Sequence, residues 1–213
     1  VADMDLTRLV FLLDRSGSMR SIQSDIEGGF AAFIDDQRAA AGRCTVTLAQ
    51  FDDHFEVVYH DVDLDQVPPL ALRPRGRTAL LDAIGTLITD VSADVAALPA
   101  DERPGTVIVA IMTDGLENAS REWTHPAITA LVKLHTDQFD WQFLYMGADQ
   151  DAIEVGTRLG VKREQSLTYS KGKSRDAMAA ASANIRNYRH AKTINPAAPM
   201  PEFSDAQRAA LDD

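Results

Sequence analysis

Two short segments, Leu9–Leu13 and Thr106–Met112, are apolar at nearly every position, and each gives way at once to a polar loop. A strand with one wetted face alternates apolar and polar residues. A strand that is apolar throughout must be covered on both faces, as in a parallel sheet wrapped by helices. That constraint organises the rest of the chain. Thr45–Phe51 and Trp141–Met146 are further β-rich runs. Between them, Met19–Ala41 places Ile22, Ile26, Phe30, Phe33 and Ile34 at close to the helical period, and Ala79–Leu98 does the same with Leu80, Leu81, Ile84, Leu87, Ile88, Val91 and Val95. Thr124–Thr136 and Asp151–Leu159 are shorter helical stretches, the second stopped by Gly160. The alanine-rich stretch Ser174–His190 is a late helix, with Ser174 the expected N-cap and Asp176 in the first turn.

His54–His60 follows Thr45–Phe51 after only Asp52 and Asp53, so these two strands form a hairpin and the later one runs antiparallel. Ser166–Tyr169 reads as a short final edge strand. The expected order is β-α-β-β-α-β-α-β-α-β-α. This is an α/β, doubly wound, Rossmann-like sheet, mostly parallel with one antiparallel edge strand, and right-handed crossovers place helices on both faces. The expected domain is 1–192. Beyond it Pro196, Pro199 and Pro201 fall close together, so 193–213 is expected to be a proline-containing C-terminal tail or linker, with a weak last helix at Asp205–Leu211.

The chemistry concentrates in the loops. Asp14-Arg15-Ser16-Gly17-Ser18 lies directly after a buried strand and directly before a helix. The carboxyl ends of strands line the ligand crevice of an open α/β sheet. A carboxylate and two hydroxyls at i, i+2 and i+4 in such a loop converge on one point, and an all-oxygen set suits a hard cation such as Mg²⁺. The competing reading is that Ser16 and Ser18 merely cap the following helix. Gly76-Arg77-Thr78 adds a third hydroxyl ahead of another helix, and Thr113-Asp114-Gly115 adds a second carboxylate at another strand end. Taken singly these are a cap and a turn. Together they bring two carboxylates and three hydroxyls to one end of one sheet.

At these residues the chain resembles the von Willebrand factor A domain family, whose metal-ion-dependent adhesion site has the pattern Asp-x-Ser-x-Ser with a distant Thr and a distant Asp. Asp14, Ser16, Ser18, Thr78 and Asp114 match it without substitution. The resemblance extends over roughly Leu6 to His190, and Thr113–Asn118 and Tyr145–Gln150 look like the compact bacterial and phage members. It implies a divalent ion, Mg²⁺ or else Mn²⁺ or Ca²⁺, held by those five residues. It also implies a non-enzymatic role in which a protein partner presents Asp or Glu to an open metal position. Arg15, Arg20, Arg75 and Arg77 flank the metal loops, which suggests a basic collar around the ion. Arg15, Arg77 and Glu117 are the expected partner-binding rim.

Composition narrows the remaining classes. Lys and Arg number 21 against 32 Asp and Glu, a formal charge of −11, so no nucleic-acid partner is expected and an anionic membrane surface is disfavoured. The longest apolar run, Val107–Met112, is far short of the roughly 20 residues of a membrane helix, and the N-terminus shows no basic, apolar leader. With Cys44 as the single cysteine there is no internal disulfide, and the expected location is cytoplasmic.

Other motifs fail on specific positions. Asp61–Asp65 starts like an EF-hand, but Gln66 stands where Gly is needed and Leu72 where a bidentate Glu is needed. Gly172-Lys173-Ser174 ends like a P-loop, but Leu167 replaces its first Gly. Asn118-Ala119-Ser120 fits a glycosylation sequon of a kind common by chance. The five histidines show no ligand-like spacing, and no elbow of the hydrolase type surrounds Ser16 or Ser18. A metal-dependent hydrolase is therefore the weaker alternative. An accessory subunit of an AAA+ ATPase, as in metal-chelatase-like systems, is the stronger one.

Overall fold

The computed structural model describes residues 1–212. Its sheet has six strands: β1 (Asp3–Asp14), β2 (Arg43–Phe51), β3 (Phe55–Asp63), β4 (Pro104–Thr113), β5 (Gln142–Ala148) and β6 (Ser166–Tyr169). They lie in the order β3-β2-β1-β4-β5-β6. All neighbours are parallel except the β2–β3 hairpin. The two apolar runs that set the fold class are thus β1 and β4, side by side at the centre, with Phe11 opposite both Leu48 and Ala110.

Because side chains alternate along a strand, the two faces of β1 feed two separate cores. Leu9, Phe11 and Leu13 pack with residues of α1 (Gln23–Arg38) and α5 (Ser174–Ile194). Val10 and Leu12 pack with residues of α2 (Leu80–Ala97), α3 (His125–Phe139) and α4 (Ala152–Arg158). On the first face Phe11 meets Phe30 and Phe33 edge-on, at centroid separations of 5.4 and 5.6 Å, the geometry that aromatic quadrupoles favour. Both faces are covered, as the unbroken apolar runs require. Among the described residues no helix is long and apolar enough to cross a membrane.

Three local details differ from the sequence reading. Met19–Ala41 is not one helix: a 3₁₀ turn at Gly17–Ile22 precedes α1 and buries Met19 and Ile22 while leaving the Ser16–Ser18 loop at the sheet end. Ser174 is the first residue of α5 and not its cap, and its hydroxyl donates to the Lys171 carbonyl at 2.7 Å.

The third detail concerns the proline-containing stretch after 192, which folds back onto the body. Met200, Phe203 and Leu211 join the α1–α5 core. Phe203 N donates to Glu164 O, Ser170 N donates to Leu211 O, and Arg208 reaches Ser166 O at 2.8 Å. A final short helix, α6 (Asp205–Ala209), opens with a reciprocal Ser204–Gln207 capping box. This segment covers the outer side of β6, an edge strand that would otherwise present unpaired backbone groups.

Candidate metal centre

β1 leads into α1 on one face of the sheet, whereas β4 leads into α3 on the other. The gap between their carboxyl ends is therefore the point where the winding reverses, and such a point opens a crevice. Asp14 is the last residue of β1, and Asp114 directly follows β4. Their side chains are buried there together.

Asp14 is wholly enclosed. One carboxylate oxygen accepts from Ser16 N and the other from the Thr113 hydroxyl, each at 2.6 Å. Burial outweighs these hydrogen bonds, and the nearby Asp114 charge adds to it, so the Asp14 carboxyl is pushed up to about 6. Ser16 Oγ lies 3.1 Å from Ser18 Oγ, and Ser18 Oγ donates to Asp114 Oδ1 at 2.6 Å. The other Asp114 oxygen is buried with no aligned hydrogen-bond donor, although the Lys171 ammonium stands 3.2 Å away as an ion pair. The Tyr169 hydroxyl is also fully buried and without a hydrogen-bond partner. Burial, followed by the charges of Asp114 and Asp14, holds its pKa well above the usual tyrosine value.

Gly115 shows where these groups point. A Cβ placed there would stand 3.1 Å from Thr78 Oγ1 and 3.9 Å from both Asp14 Oδ2 and Ser18 Oγ. Oxygens from the β1 loop and the Thr78 loop thus face one point beside Gly115, and the Ser18 hydroxyl links that point to Asp114 Oδ1 in the third loop. The donor set is carboxylate and hydroxyl only, it is buried, and it contains an orphaned carboxylate oxygen, a group that calls for an ion or water beside it. The residues fit a hard divalent cation.

The capping alternative is settled by the hydrogen bonds. Ser16 occupies the N-cap position of its 3₁₀ turn but makes no side-chain cap bond. Thr78 does not cap α2 either, since that helix begins after Ala79 with no cap from its own side chain. The loop following β4 takes over this work. Glu117 accepts from Leu81 N at 2.9 Å, and Ser120 Oγ accepts from Asp82 N at 3.0 Å. Asp82 in turn accepts from the backbone of Arg121, Glu122 and Trp123. Thr78 N donates to Asn118 Oδ1 while Asn118 N donates to Thr78 O. The sequon-like Asn118 and Ser120 are therefore half of a clasp that ties the Thr78 loop to the Asp114 loop. The sequence reading missed this clasp, and its one visible signal was Asp82 in the first turn of α2.

The expected rim is redistributed. Arg15 is only 7% exposed. It pairs with Asp52 at 3.1 Å and with Glu56, so it braces the hairpin instead of facing a partner. The Glu117 carboxylate is saturated: burial pushes its pKa up, but hydrogen bonds from Leu81, Ser120 and Ala119 outweigh that and hold it below the ordinary glutamate value. Its charge is spent on the α2 N-terminus, which removes it as a rim contact. Of the collar arginines, Arg75 pairs with Asp52 at 2.8 Å and Arg20 donates to Pro74 O at 3.1 Å. Arg77 is exposed, beside Thr78.

A second cluster, Asp52, Asp53 and His54 in the β2–β3 turn, also brings three metal-capable side chains together. Asp52 already faces the guanidinium groups of Arg15 and Arg75 and accepts from His54 N at 2.7 Å. A cation there would meet two positive charges and a carboxylate already accepting three hydrogen bonds, so the cluster is a structural junction.

No family model matches the sequence, and no curated protein matches it. Solved structures do match the fold. Proximal thread matrix protein 1 from the mussel byssus aligns at 15% identity and a TM-score of 0.61, over 85% of this chain and 47% of its own. The pilus adhesin SpaC from Lactobacillus rhamnosus GG, in its open conformation, aligns at 14% identity and a TM-score of 0.62, over 84% of this chain and 30% of its own. A von Willebrand factor type A protein from Catenulispora acidiphila aligns at 13% identity and a TM-score of 0.55, over 84% of this chain and 42% of its own. The fold is that of a von Willebrand factor A domain. A further form of the byssus protein, matching at 16% identity and a TM-score of 0.57, has a zinc-occupied metal-ion-dependent adhesion site motif. The chain spans less than half the length of each of these proteins.

Proposed function

We propose that this A domain is a metal-dependent protein-binding module. Asp14, Ser16, Ser18, Thr78 and Asp114 would hold a divalent cation, Mg²⁺ in preference to Mn²⁺ or Ca²⁺, and a partner would present an Asp or Glu side chain to it. The carrying observation is the point beside Gly115 faced by oxygens of Asp14, Ser18 and Thr78, with Asp114 joined to it through Ser18 and its other oxygen left without a hydrogen-bond donor. The ion, when bound, supplies a Lewis-acidic position for an incoming carboxylate.

The protein's own residues arrange that contact. Thr113 and Ser16 N orient Asp14, Ser18 orients Asp114, and the Asn118–Glu117–Ser120 clasp fixes the Thr78 loop. Three neutral hydroxyls beside two carboxylates leave the ion more electrophilic than an all-carboxylate cage would, which favours an acidic side chain over water. Exposed Arg77 supplies positive potential at the mouth. The side chains that meet here are carboxylates and hydroxyls held by one another and by backbone, which supports binding over catalysis.

The test is calorimetric titration of the purified chain with Mg²⁺, Mn²⁺ and Ca²⁺, alongside Asp14→Ala/Ser16→Ala. Wild type should bind one ion and gain thermal stability as RT ln(1 + [L]/Kd), whereas the double variant should fold and show neither effect. Capture of an acidic partner should be abolished by EDTA. Equal capture with and without EDTA would defeat the reading.

A further inference from the structure

The Lys171 ammonium forms an ion pair with a centre carboxylate, its Nζ 3.2 Å from Asp114 Oδ2. Asp114's other oxygen accepts from Ser18, so the ammonium stands at the one oxygen of this carboxylate that has no hydrogen-bond donor. We propose that Lys171 is a built-in competing cation: its ammonium neutralises Asp114 when no metal is present, and a divalent ion must displace it to bind. This rests on the metal-binding reading above and deepens it, since it names a residue that sets the affinity of the same site.

The backbone at Lys171 is held in place while its side chain reaches solvent. Lys171 N donates to Asp149 Oδ1 at 3.2 Å, and Lys171 O accepts from Ser174 Oγ at 2.7 Å. The preceding residue is fixed by Ser170 N donating to Leu211 O at 3.2 Å and by Ser170 O accepting from Lys173 N at 2.8 Å. This 3₁₀ turn, Lys171–Lys173, runs straight into α5. The side chain is 34% exposed whereas that of Asp114 is fully covered, so the ammonium enters from the solvent side and can leave the same way without any backbone change.

The electrostatics define the consequence. Two buried carboxylates with one lysine make a site of formal charge −1, and without the lysine it would be −2. Retaining the lysine weakens the pull on a divalent ion. Once the ion has entered and the ammonium has withdrawn toward solvent, the two carboxylates and the ion sum to zero, and the displaced ammonium stays nearby as a positive charge for a partner's carboxylate. The lysine thus trades metal affinity for preference toward an acidic partner, and it offsets part of the repulsion between Asp14 and Asp114.

The experiment measures Mn²⁺ and Mg²⁺ dissociation constants by calorimetry for wild type, Lys171→Met and Lys171→Arg at low and high salt. Lys171→Met should bind Mn²⁺ tighter by roughly tenfold or more at low salt, Lys171→Arg should stay near wild type, and added salt should narrow the gap. Equal affinities in wild type and Lys171→Met would overturn the proposal while leaving the metal site standing. Absence of binding in all three would remove the metal site itself and this proposal with it. A measurement on the unmutated chain covers the case of a poorly folded variant. Reductive methylation of Lys171, read by mass spectrometry, should be faster with Mg²⁺ than with EDTA, and identical rates would count against displacement.

Discussion

Three buried acids at the same end of the sheet have been given two opposite kinds of surroundings. Asp52, just past β2, faces the guanidinium groups of Arg15 and Arg75 and the backbone N–H of His54. Its backbone carbonyl also takes the Ala79 N–H at 2.9 Å, so a single residue joins the loops after β1, after β2 and before α2. Asp14 and Asp114, one and two strands away, have hydroxyls, one backbone N–H and a single lysine on a flexible stem. Permanent cations make a junction. Neutral donors and a movable cation leave a place for a ligand. Local sequence would not separate the two, since each is an Asp at the end of an apolar strand.

The largest effect that could break this comparison is at the junction. Asp52→Ala leaves Arg15 buried without its inner partner, and removing one member of a buried pair costs about 3–5 kcal/mol. Urea unfolding should show a loss of that order, and a loss under about 1 kcal/mol would mean that Asp52 is not structural.

The next effect has the opposite sign. Asp14 has its folded carboxyl raised from 3.8 to about 6. The folded state therefore favours the protonated form, and its contribution to stability is greatest below 3.8 and is lost as pH rises toward 6. At pH 7 the charged form is a burden of up to about 3 kcal/mol. Asp14→Asn can keep the contacts, because an Asn amide can donate to Thr113 Oγ1 while that hydroxyl turns to Gly115 O, 3.1 Å away. In EDTA at neutral pH this variant should unfold at higher urea than wild type, yet gain nothing from Mg²⁺. Lower stability for Asp14→Asn would place Asp14 with Asp52 as a structural acid.

Glu117→Gln is a smaller test. It weakens the charge-assisted bonds at the start of α2 by about 1–2 kcal/mol, read as a shift in the urea midpoint, with Mn²⁺ affinity changed less than threefold. A large loss of metal binding would move Glu117 from the clasp to the ion. The smallest effect on the chain itself is at Arg77. Arg77→Glu should leave stability and metal affinity nearly unchanged while slowing association of an acidic partner at low salt by about tenfold. Equal association rates in stopped flow would leave the rim without a steering role.

Much of this was legible in the sequence, because burial on both faces leaves a distinct mark. The unbroken runs at β1 and β4, the two-residue link at Asp52-Asp53 and the helical spacing of α2 report directly on which surfaces are dry. The placing of Asp14, Ser16, Ser18, Thr78 and Asp114 in neighbouring loops was legible because strand ends and helix starts are brought together by topology. Roles that depend on partners far along the chain were not. Arg15 was read as rim because its sequence neighbours are site residues, but its partners are Asp52 and Glu56. Glu117 was read the same way, and its donors are at Leu81 and Ser120. The stretch after 192 was read as a tail from its prolines, but Met200, Phe203 and Leu211 find an apolar surface beside β6 that only the folded body creates.

The sequence by itself determined the layered α/β architecture and the identity of the oxygens gathered at one sheet end. Both follow from local chemistry: apolar periodicity dictates which faces are covered, and strand–loop–helix order dictates where loops meet. The tertiary structure alone decided which acids face guanidinium groups and which face hydroxyls and a single lysine. That choice depends on the distances of Arg15, Arg75 and Lys171 from carboxylates up to dozens of residues away. Coulomb energy depends on separation in space and on burial, and neither quantity is written in the spacing of residues along a chain.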